Sequence, residues 1–126
     1  MGPVEQAFRA RLRSPSSLRT ISRGAPFVLR SLGHEGIVIE LGAKRTPTLV
    51  TWDCLESIPA FLRANPGWVV SGGLHSTHAV PGTLDAHLKG YVPRDIANWI
   101  VVLLRDAGIV DVDPGPPLRL RLRRAQ

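Results

Sequence analysis

Arg119, Arg121 and Arg123 alternate strictly with Leu118, Leu120 and Leu122 near the end of the chain. Alternation with period two marks a strand with one buried face. The leucines therefore belong to a core and the guanidinium groups to the opposite side. Same-face neighbours on a strand lie roughly 6–7 Å apart, so three such cations form a stripe that suits a row of phosphates. A second segment with chemical potential is Ser71-Gly72-Gly73-Leu74-His75-Ser76-Thr77-His78. Its backbone N–H groups and hydroxyls could hold an anion or a nucleotide edge, with Gly72, Gly73, His75, Ser76 and His78 as the contacting residues.

Metal and nucleophile chemistry find less support. His75 and His78 would need a further ligand such as His34, Asp85 or His87. Their spacing in a glycine loop is no zinc signature, and Cys54 stands alone. Cys54 falls on the apolar side of a helical segment, which predicts a buried thiol rather than a reactive one. No Gly-rich phosphate loop with lysine, HExxH or GxSxG is present. Asp111 and Asp113 share a strand face and read as a solvated strand end. The expectation is a chain without catalytic residues, metal or cofactor of its own.

The elements that must position these groups follow from periodicity. Val4, Phe8 and Leu12 line one face of a short helix, which Ser14-Pro15-Ser16-Ser17 ends. Phe27–Leu32 and Gly36–Leu41 read as a hairpin about Gly33-His34-Glu35-Gly36, and Thr48–Trp52 as a third strand. Asp53, with Glu56 three residues on, suggests a capping box for an amphipathic helix carrying Cys54, Leu55, Ile58, Phe61 and Leu62. Pro59 predicts a kink or break near Ile58. Trp68–Ser71 is a short strand, and Gly72–Gly82 a loop. Thr83 caps a helix at Leu84–Lys89. Asp95 caps a longer one, Ile96–Ala107, that Gly108 stops. Strands Ile109–Asp113 and Leu118–Arg123 flank Pro114-Gly115-Pro116-Pro117. Trp52, Trp68 and Trp99 read as core anchors.

The chain has 126 residues, 44% of them apolar, with 16 Lys plus Arg against 10 Asp plus Glu and a net charge of +6. That is one domain's worth of chain. Arginine supplies all the positive residues except Lys44 and Lys89, so placement says more than total. Arg9, Arg11, Arg13, Arg19 and Arg23 cluster at one end. Arg119, Arg121, Arg123 and Arg124 cluster at the other. The longest apolar run, Trp99–Leu104, is far short of the roughly 20 residues of a membrane span. Glu5 and the early arginines argue against a secretory signal. These features predict a cytoplasmic protein of the α+β class: a basic N-terminal helix or arm (1–23), a β-rich part with a β-hairpin layer (24–52) and a C-terminal part (53–123).

The order within 53–123 resembles a winged-helix domain. The residues that carry the resemblance are Thr83-Leu84-Asp85-Ala86-His87-Leu88, then Asp95-Ile96-Ala97-Asn98-Trp99-Ile100, then Leu103-Leu104-Arg105-Asp106-Ala107-Gly108-Ile109-Val110. In such domains the second helix of a helix-turn-helix enters the major groove and the hairpin lies along the backbone. The resemblance implies base-edge roles for Arg94 and Asn98, whose forks fit guanine and adenine. It implies phosphate roles for Arg119, Arg121, Arg123, Arg124 and Lys89. The expected function is a sequence- or modification-sensing DNA-binding module, duplex DNA being the favoured partner. It would act alone, as a homodimer or inside a larger restriction or regulatory system. The alternatives are a protein-interaction or dimerisation domain using the apolar helix 96–107, and a small metal-dependent hydrolase built on His75, His78 and a carboxylate.

Overall fold

The computed structural model describes residues 1–73 and 80–124. Its first helix, α1 (Pro3–Arg11), begins on a proline, whose fixed φ and missing N–H suit the first helical turn. Val4 and Phe8 are buried on one face. The cap at its N-terminus comes from far along the chain. The two carboxylate oxygens of Glu56 accept from the backbone N–H groups of Val4 (3.0 Å) and Glu5 (2.9 Å). A Cβ on Gly2 would collide with that carboxylate, which would have to shift from its capping position.

The basic arm expected over 1–23 is instead built into the molecule. Arg9 pairs with Glu5 (2.9 Å), donates to the carbonyl oxygens of Leu32 and Gly33, and lies 5.3 Å from the centre of the Trp52 ring. Residues Ser16–Arg19 form a strand, β1, that periodicity does not reveal. Only Leu18 of the four has a large apolar side chain.

β1 joins β2 (Pro26–Leu32), β3 (Gly36–Leu41) and β4 (Thr46–Thr51) in an antiparallel sheet of order β1-β2-β3-β4. The hairpin predicted for Phe27–Leu41 and the third strand predicted for Thr48–Trp52 are present as β2, β3 and β4, and β1 extends them to a four-stranded meander. Phe27, Leu29, Ile37, Ile39 and Val50 point from it into the core. The register shifts between Leu29 and Ser31, an irregularity that re-aims the end of β2.

The helix that follows, α2 (Trp52–Ala64), is capped by Thr51, whose Oγ1 accepts from the Cys54 N–H (3.2 Å). The predicted capping box at Asp53 and Glu56 therefore does not form, because Glu56 serves α1. Pro59 lies inside α2 without ending it. An interior proline costs about 3 kcal/mol, and burial of Trp52, Cys54, Leu55, Ile58 and Leu62 along one side of this helix outweighs that.

A second sheet contains β5 (Val69–Val70), β6 (Val110–Asp113) and β7 (Arg119–Leu122) in the order β5-β7-β6. Between β5 and β6 come α3 (Leu84–Leu88), capped as predicted by Thr83 Oγ1, and α4 (Ala97–Asp106). Asp95 makes no cap for α4 and pairs with Lys89 instead. α4 packs against α1, α3, β1 and β6. Its residues Ile100 to Leu104 are all at most 1% exposed. The apolar face suggested for protein interaction over 96–107 is thus the interior of this same chain.

Because Glu56 ties α2 to α1 through two charge-assisted bonds, Glu56→Ala should lower stability by about 1–2 kcal/mol. Gly2→Ala should act in the same direction. The urea midpoint is the measurement, at constant m-value, and an unchanged midpoint in both variants would contradict the capping role.

Candidate nucleic-acid interface

β6 and β7 pair antiparallel, with Val110 opposite Leu122, Asp111 opposite Arg121, Val112 opposite Leu120 and Asp113 opposite Arg119. Side chains directly opposite share a face. The apolar set therefore faces the core, and the arginine stripe shares its face with two aspartates. Arg119 pairs closely with Asp113, and its Nε is buried without a partner. The Asp113 carboxyl is held below its ordinary pKa, first by the Gly115 N–H and then by Arg119. Arg119 therefore has its ion-pair partner within the hairpin. The signal was present in the sequence: a hairpin across Pro114–Pro117 places Val-Asp-Val-Asp against Arg-Leu-Arg-Leu.

Arg121 and Arg123 differ from Arg119. Both approach one carboxylate, Asp111, at 3.6 and 3.1 Å, and their side chains remain 51% and 48% exposed. Ion pairs this exposed are worth only about 0–1 kcal/mol, so a phosphate can replace the aspartate at small cost. The same groove includes Arg63, Arg124, Pro66 and Gly67. It sets four guanidinium groups against one carboxylate.

Trp68 borders this surface. Continuing the β5–β7 register, in which Val69 opposes Leu120, by one step puts Trp68 opposite Arg121. The Arg121 guanidinium lies 4.3 Å from the ring centroid, and Trp68 is 38% exposed. The core-anchor expectation holds for Trp52, which is 8% exposed and donates its indole N–H to Gly33 (2.9 Å). It does not hold for Trp68, because the register puts its side chain on the arginine face of the sheet and not on the core face.

The remaining predicted contacts are scattered and occupied. Lys89 is gripped by Asp85 (2.8 Å) and Asp95 (2.5 Å) on another part of the molecule, and the hydrogen bond to Asp85 first, then that to Asp95, raises its pKa. A lysine with two carboxylates is no phosphate ligand. Arg94 donates to Thr48 Oγ1 (3.1 Å), and Asn98 Oδ1 accepts from Ser71 Oγ (3.1 Å). Arg94 thus joins the two halves of the chain, whereas Asn98 braces α4 against the end of β5 within the C-terminal part. α4 itself presents no polar stripe through its middle, since Val101 and Val102 are buried.

Gly72 and Gly73 adopt φ of +73° and +83° and lie against Thr83 and Asp85. Asp85 is 1% exposed, and among the described residues its Oδ1 has no hydrogen-bond partner. His75, Ser76 and His78 lie outside the described residues. Among the described residues, no group of three or more His, Cys, Asp or Glu is arranged to hold a metal ion. Cys54 is fully buried as predicted, and burial pushes its thiol up to about 11.

One polar cluster escapes the sequence pattern. Ser57 Oγ donates to the Cys54 carbonyl, and His87 Nε2 lies 2.8 Å from that hydroxyl. The hydroxyl proton is already spent on the carbonyl, so the ring nitrogen is the donor in this pair. The imidazole stacks on Phe61 at 4.5 Å, and Tyr91 lies 5.8 Å away. The cluster joins α2 to α3. Only the tertiary fold brings residues 57 and 87 together.

Comparison with known proteins finds no matching family model, no matching curated protein and no matching solved structure.

Burial lowers the pKa of His87 from 6.5. The unfolded chain then takes up a proton that the folded chain resists, so this contribution to stability is complete above about pH 7 and is lost as pH falls through 6.5. Denaturation midpoints measured from pH 7.5 down to about 5.5 should fall more steeply for the wild type than for His87→Gln. Parallel pH profiles would show that His87 titrates as it does in the unfolded chain.

Proposed function

We propose that this chain is a DNA-binding domain that grips the sugar-phosphate backbone through the arginine face of the β6–β7 hairpin and the adjoining end of α2. The observation that carries the reading is the groove in which Arg63, Arg121, Arg123 and Arg124 face a single acid, Asp111. Guanidinium forks match phosphate oxygens in pairs, and their weak hydration favours exchange of a carboxylate for a phosphate. Each phosphate bound in this way releases counterions, which adds affinity at low salt.

The element order supports the same reading. α2, β5, α3, α4, β6 and β7 follow one another as in a winged-helix domain, and β5-β7-β6 is a strand order in which β6 and β7 make the wing. What departs from that pattern is the role of α4. Its outward side is covered by α1 and β1, so contact with DNA falls to the wing and the adjoining end of α2. A surface of guanidinium groups without a base-reading helix holds many sequences about equally.

Arg121→Ala with Arg123→Ala should weaken binding by a similar factor for duplexes of different sequence. It should also reduce the slope of log affinity against log salt by up to about two. Fluorescence anisotropy at several salt concentrations reads both quantities. A double variant that binds like the wild type, or a wild type without affinity at low salt, overturns the reading. Asn98→Ala separates the two modes of recognition. With its side chain bonded to buried Ser71, the change should lower the thermal midpoint and leave the ranking of duplex sequences as it was. A changed ranking would restore Asn98 as a base reader.

A further inference from the structure

Trp68 is a large apolar side chain left 38% exposed beside a basic groove. Arg121 covers part of its ring at 4.3 Å. Trp68 also lines a shallow cavity of ≈ 420 Å³ with Pro66, Val69, Val80 and Pro81. Val80 is 60% exposed. That cavity is of mixed character, with Asn65 and Thr83 also in its lining. An exposed indole beside a row of guanidinium groups matches the two parts of a nucleotide: a flat π-surface and an anion. In a duplex the faces of the bases are hidden in the stack. Only an unpaired base offers a face to an indole.

We propose that Trp68 is a stacking platform for an unpaired base whose flanking phosphates are held by Arg121, Arg123 and Arg63, so that the nucleic acid preferred at this face is single-stranded. The inference rests on the backbone-binding reading above and adds the state of the strand to it. Charge selects the occupant, because Trp68 adjoins a groove lined by four arginines and one aspartate. An uncharged protein surface would strand those cations without a counter-charge. Arg121 links the two halves of the site. Its guanidinium lies over the indole and 3.6 Å from Asp111, where a phosphate would enter. Base stacking on an aromatic is tolerant of base identity, which agrees with a site that lacks base-edge readers.

The test compares a labelled oligothymidylate, a labelled duplex of the same length and polyglutamate against the wild type, Trp68→Ala, Trp68→Phe and the Arg121→Ala/Arg123→Ala double variant. The wild type should bind the single strand more tightly than the duplex. Trp68→Ala should lose roughly tenfold on the single strand, with less than about twofold change on the duplex, and Trp68→Phe should retain most of the affinity. Binding of the single strand should quench indole fluorescence in the wild type more than in Trp68→Phe. Thermal melts establish that the variants are folded, and Trp68→Phe carries the test if Trp68→Ala is not. Equal losses on both DNAs, no loss on either, or polyglutamate binding as tight as the single strand overturns the stacking role. Duplex affinity that survives all of these and still falls in the double arginine variant leaves the backbone reading standing. Loss of neither DNA in the double variant removes both.

Discussion

A helix that is apolar on every side has to be covered on every side, and α4 is such a helix. Ile100, Val101, Val102, Leu103 and Leu104 leave no stripe that water can wet. Burying a side chain of this kind is worth roughly 1.5–3 kcal/mol, so leaving any side of α4 open would forfeit a large part of the stability of a small domain. α3 and β6 cover part of it, and α1 and β1 complete the cover. The N-terminal half is therefore the other wall of the core, and the C-terminal helices depend on it.

That constraint decides where a partner can touch the protein. Once α4 is enclosed, the polar groups near its start are drawn inward: Arg94 to Thr48 across the contact between the halves, and Asn98 to Ser71 within the C-terminal one. The surface left for recognition lies on the opposite side of the second sheet. There the hairpin register sets Asp111 and Asp113 beside the arginines. The result is graded. Arg119 is locked to Asp113, whereas Arg121 and Arg123 share one exposed carboxylate. Partial neutralisation keeps a dense row of guanidinium groups from repelling itself, and exposure keeps those charges exchangeable.

Polar bonds over long sequence distances lock this arrangement in place. Glu56 closes the N-terminus of α1 from α2. His87 on α3 reaches Ser57 on α2. Each satisfies groups that burial would otherwise leave bare. Each also explains why a residue with apparent chemical potential, a carboxylate in one case and a serine–histidine pair in the other, serves the scaffold.

Local chemistry made much of the secondary structure readable. Alternation marked β3 and β7, the apolar spacing marked α2, and Thr83 and Gly108 marked the start of α3 and the end of α4, because these features act between residues a few positions apart. Strand β1 was not readable, since an edge strand with one large apolar residue is defined by its neighbour and not by its own pattern. Pro59 misled for the converse reason: its penalty is local, and the burial that overrides it is not. Within the interface, the sequence by itself determined that guanidinium groups would line one face of the last strand. The pairing of those groups with Asp111 and Asp113, the enclosure of α4, and the exposure of Trp68 next to Arg121 were decided by the tertiary structure. Charge pairing and burial depend on what lies across a strand or beneath a helix, and those neighbours are distant in the chain.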